Sequence, residues 1–504
     1  MKRLFPIMCT LLLLYCPFGF AAIVWDGTSK EPWTKGSGTE SDPYLIETPA
    51  NLAYLAEQVQ NGQTYEKTYF MQTNDIDLNN KGCQVGSSSS RYFEGIYDGG
   101  QKQIINVVYY LFGYIKSATI QNLTIAGAST YPMINNANGN VTLVNCHNKS
   151  TSKISQGGAG LVNVAEQGCI TLENCSNSAA IMETYKIYRS TESYLYNLRP
   201  YDGYIGGLVA KADTIKVNHC SNIGTLSAYK QRANELCVAG LVGKANSGYI
   251  SNSFNTADIC VTGAENQGSG YRPIGSLYVT GLCYTCPVEK LIVNQSYVKW
   301  IQKNVTWYTY LNMFGISSGT NTYCYSIGEG IGCYNDISTN CYCILSKAEE
   351  KCVAGYPSVD IFYNSDVKIE NPYNAIAKTK DQMKSPSFVS LLNGEADYFY
   401  PDYTNINDGY PILRWQLEGT TMYKIRATCP SAQGVVSGSG EYPATANITL
   451  KAMPKDGYAF TGWSDGNTDN PRTITVNGNA TYVAQFSQSA YTIYVNQDCT
   501  TDIE

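Results

Sequence analysis

The chain has 504 residues, 15% of them charged, with a formal net charge of −6. That balance excludes the strongly basic face on which nucleic-acid binding depends. Forty-two tyrosines and 45 glycines beside only two histidines point to a β-rich chain with many turns and leave little material for a histidine-based catalytic constellation.

The chain opens with Lys2 and Arg3, then an apolar run through Leu11, Leu12, Leu13 and Leu14, then the small residues Gly19 and Ala21. This three-part pattern predicts a secretory signal over residues 1–21. The run is shorter than the roughly 20 residues of a membrane span, and no later stretch is long and apolar enough for one. Tyr15 before Cys16 argues against lipidation at that cysteine. The expected location is secreted or at the cell surface, with no transmembrane segment after signal cleavage. Export permits disulfides, but a chain of this length does not require them; disulfides and reduced thiols both stay open.

Leu52, Leu55, Ala56 and Val59 recur at helical spacing and predict a helix over 50–62. Thr48 is its N-cap, Pro49 its first residue and Gly62 its stop. A short amphipathic helix here suits the open first turn of a repeat stack, since such ends need caps.

Repeats follow. Gly160-Leu161-Val162, Gly207-Leu208-Val209, Gly240-Leu241-Val242 and Gly281-Leu282-Cys283 each precede an alternating stretch that ends near Cys175, Cys220, Ser253 or Ser296. The separations are 15 residues for 160 to 175 and 281 to 296, and 13 for 207 to 220 and 240 to 253. An earlier copy ends at Cys146 and a degenerate one at Cys324. Constant strand pairs with variable connections predict an all-β fold, a right-handed parallel β-helix (solenoid). Each glycine is expected at a tight corner needing positive φ, and each Asn-Cys step at the next corner, with cysteine as a small interior filler.

The excursion between the copies at Gly160 and Gly207 carries Tyr185, Tyr188, Tyr194, Tyr196, Tyr201 and Tyr204. These tyrosines either cover the flank of the stack or form a ligand surface, since loops on solenoids commonly carry binding.

Candidates for chemistry are few. His147 and His219 abut the Asn-Cys corners and read as loop residues. Cys283 with Cys286, and Cys341 with Cys343, lack the paired context of a zinc site. Asp75 and Asp77 share a strand face, as a glycosidase dyad would, though a structural role explains them. Asp465 and Asp469 likewise read as turn residues rather than calcium ligands. No catalytic, cofactor-binding or metal residue is assigned.

Two resemblances emerge. Trp25-Asp26-Gly27-Thr28, Gly38-Thr39-Glu40-Ser41-Asp42-Pro43-Tyr44-Leu45-Ile46, Asn74-Asp75-Ile76-Asp77-Leu78 and Phe93-Glu94-Gly95-Ile96-Tyr97-Asp98-Gly99-Gly100, with the closing Asn407-Asp408-Gly409-Tyr410-Pro411-Ile412-Leu413, resemble surface and secreted β-solenoids of Bacteroidetes-type bacteria. The Gly-Leu-Val copies resemble their GLUG motif, although residues 297–380 are irregular. Gly457-Tyr458, Phe460, Gly462-Trp463, Asp465-Gly466, Ile474, Asn479-Ala480-Thr481 and Phe486 resemble the internalin-type B-repeat.

The expected organisation is a signal over 1–21, a capped solenoid over 22–417, a small β-rich B-repeat domain over 420–487 and a tail over 488–504. The resemblance implies a bacterial protein, secreted or on the outer-membrane face. The expected function is a non-enzymatic adhesin or scaffold whose tyrosine-rich loops bind an extracellular glycan or protein. The alternative is a carbohydrate-active β-helix enzyme, a polysaccharide lyase or hydrolase.

Overall fold

The computed structural model describes residues 22–185, 203–230, 235–263, 276–280, 282–285, 291–294, 297–299, 309–312, 319–322, 324–327, 337–344, 359–365, 375–417 and 419–489. Residues 1–21, the expected signal, lie outside them. The chain divides into two compact units, one of residues 1–359 with 369–374, the other of 360–368 with 375–504. Both are mostly β-strand, which fits the all-β class.

The first unit opens with the short strands Ile23–Val24 and Tyr44–Ile46 and then the helix Pro49–Gln60, which the spacing predicts. The Thr48 side chain accepts from the Asn51 N–H at 3.2 Å, and the Asn51 amide oxygen accepts from the Thr48 N–H at 3.1 Å. This reciprocal cap satisfies two otherwise orphaned donors. Gly62, with φ +99°, ends the segment. Leu52, Leu55 and Val59 are fully buried beneath it.

After the helix the chain makes successive parallel passes. Val162–Glu173 pairs in parallel with Val209–Asn218, which pairs in parallel with Val242–Ser251. The register is regular: Ile170 lies beside Ile215, and Leu172 beside Val217, which lies beside Ile250. All of these are buried. A second parallel sheet joins Ile181–Tyr185, Leu226–Lys230 and Ile259–Gly263. A third joins Gly203–Gly206, Glu235–Ala239, Ser276–Thr280 and Thr309–Asn312. Ile181, Leu226 and Ile259 of the second sheet and Ile205, Leu236 and Val238 of the third share one buried cluster. Burying this apolar surface against itself is the main term holding the passes together.

The corners work differently from the expectation. Gly160, Gly207 and Gly240 do not have positive φ; the positive values fall on Asn145 (+53°), Asn174 (+52°), His219 (+49°) and Asn252 (+47°). Asparagine tolerates that conformation through local hydrogen bonding. The glycines serve close approach instead. A Cβ on Gly207 would lie 2.1 Å from the Gly240 carbonyl oxygen and 2.4 Å from Asn222 Cγ.

Asn222 belongs to a buried amide column two residues beyond each Cys or Ser. Asn177 Nδ2 donates to Asn222 Oδ1 at 2.8 Å, and Asn222 Nδ2 donates to Asn255 Oδ1 at 2.9 Å. Cys146, Cys175 and Cys220 stack beside this column, fully buried, and every described cysteine is a free thiol.

In the second unit, Ser385 caps the helix Pro386–Asn393. Buried Asn393 then fixes the following turn, accepting from the Phe399 N–H at 2.7 Å and donating to the Phe399 carbonyl at 2.9 Å. Two small sheets follow. One has the order Gly440–Pro443, Met422–Thr428, Ala480–Gln488, Tyr458–Trp463; the other joins Gly434–Ser437, Asn447–Pro454 and Arg472–Thr475. Ile425, Ile448, Leu450, Trp463 and Ala484 form their core. The Trp463 indole N–H donates to the Asp469 carbonyl at 3.0 Å. Phe460 and Phe486 pack at the margin of this core. Tyr403 meets Tyr442 edge-on at 5.0 Å, so the closing segment and the two sheets pack as one body.

Candidate functional site

Binding requires exposed chemistry on a rigid support. In the first unit this occurs where strand Gly203–Gly206 turns through Gly207 into Val209–Asn218. The register sets Lys211 beside Lys244 on adjacent passes. Tyr204 projects beside both. Lys211 Nζ lies 5.6 Å and Lys244 Nζ 5.1 Å from its ring centroid. Lys244 Nζ also donates to the Tyr204 hydroxyl at 3.4 Å. Lys211 is tied to Glu166 on the preceding pass at 3.1 Å. Two ammonium groups against one ring hold its orientation, each contact contributing about 0.5–1 kcal/mol at a half-exposed position.

The strand that carries Tyr204 places more tyrosines in line with it. Pairing puts Tyr204 beside Cys237, Cys237 beside Tyr278 and Tyr278 beside Tyr310. Neighbouring strands lie about 4.8 Å apart, so these backbone positions form one column across four passes.

Of the tyrosines singled out from the sequence, Tyr204 is placed in this site. Tyr185 ends the strand Ile181–Tyr185. Tyr188, Tyr194, Tyr196 and Tyr201 lie outside the described residues. Lys211, Lys244, Tyr278 and Tyr310 were missed. The signal for the two lysines was present: each stands four residues after its Gly-Leu-Val glycine.

On the other side of Tyr204 runs the turn Gly157–Gly158. A Cβ on Gly158 would lie 2.4 Å from the Tyr204 carbonyl oxygen. The Gly206 N–H donates to the Gly158 carbonyl at 2.9 Å. Tyr110 and Tyr131 stand beyond the turn, edge-on at 5.0 Å. Burial, with smaller effects from Tyr131 and Glu183, pushes the Tyr110 hydroxyl up to about 12.

The other polar candidates have structural partners. Asp75 Oδ1 accepts from the Gln103 N–H at 2.9 Å, and Asp77 Oδ1 from Asn106 Nδ2 at 2.8 Å. His147 bridges Ser176 Oγ at 2.8 Å and Asn145 Oδ1 at 2.9 Å. His219 Nδ1 lies 3.2 Å from Glu173. Asp465 receives both bonds of a forked contact from Arg472, at 2.7 and 2.8 Å. Among the described residues no cluster of His, Cys, Asp or Glu could hold a metal ion. Nor is any helix among them long and apolar enough to cross a membrane.

The second unit has a recognisable relative in the pattern of Tyr458, Phe460, Trp463 and Phe486 on paired strands. Residues 423–490 match the family model of the divergent InlB B-repeat domain. The B-repeat domain is typical of bacterial surface proteins and points to a surface-associated chain. No curated protein matches the sequence significantly. One solved structure, described as a "putative immunoglobulin A1 protease from Bacteroides ovatus", aligns with 16% identity over 76% of this chain and 95% of its own, at a TM-score of 0.37. That likeness is too low to carry an argument about fold or activity.

Proposed function

We propose that the chain is a non-enzymatic extracellular adhesin or scaffold that binds a glycan along the Tyr204–Lys211–Lys244 flank. In this reading the parallel passes form a right-handed parallel β-helix related to the GLUG-bearing solenoids, secreted or held on the cell surface. Parallel pairing of successive passes supports the helix, and right-handed crossovers are the overwhelming rule for such connections. The observation that carries the binding reading is Tyr204 held beside two lysines, its backbone position in register with those of Tyr278 and Tyr310. A fixed aromatic face offers apolar stacking, and ammonium groups beside it offer hydrogen bonds to hydroxyls or carboxylates.

The second reading, a carbohydrate-active enzyme, is favoured by one observation: Glu183 has its carboxyl pushed up to about 7, mainly by burial, in the range of a general acid. The same panel of plant, microbial and host-matrix polysaccharides separates the two. Retention without new reducing ends or unsaturated products supports binding. Cleavage products that disappear in Glu183→Gln replace it with catalysis.

A further inference from the structure

Phe112, Ile134, Val162, Val209 and Val242 stand side by side on five successive passes. The segments just before them share one flank of the stack. Tyr109 and Tyr110 lie just before Phe112, Tyr131 before Ile134, Gly157–Gly158 before Val162 and Tyr204 before Val209. Adjacent passes are about 4.8 Å apart, so this flank runs for about 19 Å from the pass of Tyr110 to that of Lys244.

Contacts join these residues end to end. The Tyr131 ring lies 5.8 Å from that of Tyr109 and 5.0 Å from that of Tyr110. The Tyr110 hydroxyl reaches the next turn, where a Cβ on Gly157 would lie 2.8 Å from it. A Cβ on Gly158 would lie 2.4 Å from the Tyr204 carbonyl oxygen. With φ of +92° and +57°, the two glycines form a bare backbone saddle with no side chain between Tyr110 and Tyr204. Glu183 braces the saddle: it follows buried Ile181 by two residues on its strand, and its Oε1 accepts from the Gly158 N–H at 2.9 Å. Tyr109, at the far end, is 52% exposed.

We infer that this flank is a track for a linear, uronate-containing glycan, its carboxylate on Lys211 and Lys244 and its sugar rings running over the glycine saddle to Tyr131 and Tyr109; this rests on reading the Tyr204 flank as the ligand site. Three features select that class. The track is longer than a disaccharide, so a polymer fills it. Tyrosine rings on both sides of a low saddle offer apolar faces on which successive sugar rings stack. The two ammonium groups beside Tyr204 form charge-assisted hydrogen bonds to a carboxylate. Lys211 already pairs with Glu166, but that side chain is 60% exposed, so exchanging it for a ligand carboxylate costs little. A neutral glycan would use the rings and leave the ammonium groups idle. A compact anion would use the ammonium groups and leave Tyr109 and Tyr131 idle.

The test is calorimetric titration of the full chain with disaccharides and hexasaccharides of polygalacturonate, alginate and hyaluronan, and with the same hexasaccharides methyl-esterified. At least one acidic hexasaccharide should bind about tenfold or more tighter than its disaccharide and than its ester. Tyr109→Ala should weaken that hexasaccharide about tenfold and leave the disaccharide unchanged, and Tyr109→Phe, which keeps the ring, should restore the wild-type value. Lys244→Gln should weaken the acidic hexasaccharide about tenfold and the ester far less. Equal binding of the two lengths, equal binding of acid and ester, or failure of every acidic hexasaccharide to bind overturns the track. A hexasaccharide weakened by Tyr204→Ala but not by Tyr109→Ala removes the track and leaves the Tyr204 reading in place. One weakened by neither removes both.

Discussion

Asn222→Ala removes one rung of the buried amide column. Asn222 is fully buried. Its Nδ2 donates to the Gly224 carbonyl at 3.1 Å and to Asn255 Oδ1 at 2.9 Å; its Oδ1 accepts from Asn177 Nδ2 at 2.8 Å and from the Gly224 N–H at 3.3 Å. Two of the four partners retain another contact: Asn177 Nδ2 still donates to the Ala179 carbonyl, and Asn255 Oδ1 still accepts from the Ala257 N–H. The Gly224 N–H and carbonyl lose theirs. Each buried backbone group left without a partner costs about 1–3 kcal/mol, and water entering the vacated space recovers part of it. The expected destabilisation is about 3 kcal/mol. Asn246→Ala is the matched control: its side chain is exposed and makes one bond, to Asp213 at 3.0 Å. It should change stability by no more than about 0.5 kcal/mol. Urea unfolding of the full chain, followed by far-UV circular dichroism, measures both. A loss below about 1 kcal/mol for Asn222→Ala, or equal losses for the two variants, would refute the column as a stabilising element.

Trp463→Ala should cost about 3–5 kcal/mol and move only the transition of the second unit, because Trp463 is buried and anchored to the Asp469 carbonyl; a shift of both transitions in the melt would count against two independent units. Gly158→Ala forces a Cβ to within 2.4 Å of the Tyr204 carbonyl at φ +57°. It should destabilise the first unit by at least about 2 kcal/mol, and a neutral result in the same urea series would mean the turn is not closed as described. Arg472→Ala loses the forked contact to Asp465 and a ring contact to Tyr482 at 5.1 Å. Because the Asp465 end of the pair is open to solvent, at 40% side-chain exposure, the cost should be about 1 kcal/mol and shrink in salt. Tyr204→Ala should leave the thermal midpoint nearly unchanged while weakening ligand retention about tenfold or more.

Much of the scaffold was legible because it repeats. The helix over Pro49–Gln60 and its Thr48 cap were set by local periodicity and end chemistry, which depend on neighbours in sequence. The alternation of Ile170 and Leu172, or Ile215 and Val217, showed which side chains face inward. The glycine role was misread because positive φ and close approach leave the same mark in a sequence. Only the distance from Gly207 to Asn222 separates them, and that contact joins residues on opposite sides of one corner. The amide column was visible in principle as Asn148, Asn177, Asn222 and Asn255, each two residues beyond a Cys or Ser. The site was less legible. Tyrosine density drew attention to 185–204, whereas the column of Tyr204, Tyr278 and Tyr310 depends on register between passes separated by variable connections. Glu183 was hidden for the same reason: its interior position follows from Ile181, but the Gly157–Gly158 turn that receives it belongs to the preceding pass. The packing of Tyr403 on Tyr442 likewise joins segments that local pattern treats apart.

Binding of polysaccharides and host-matrix proteins to the intact chain, compared with Tyr204→Ala and Lys244→Ala in folded form, tests the account most directly. The expected result is retention of at least one glycan by the wild type, a loss of about tenfold or more in either variant, and no cleavage products. Retention unaffected by both substitutions, or release of shortened products by the wild type, would contradict it.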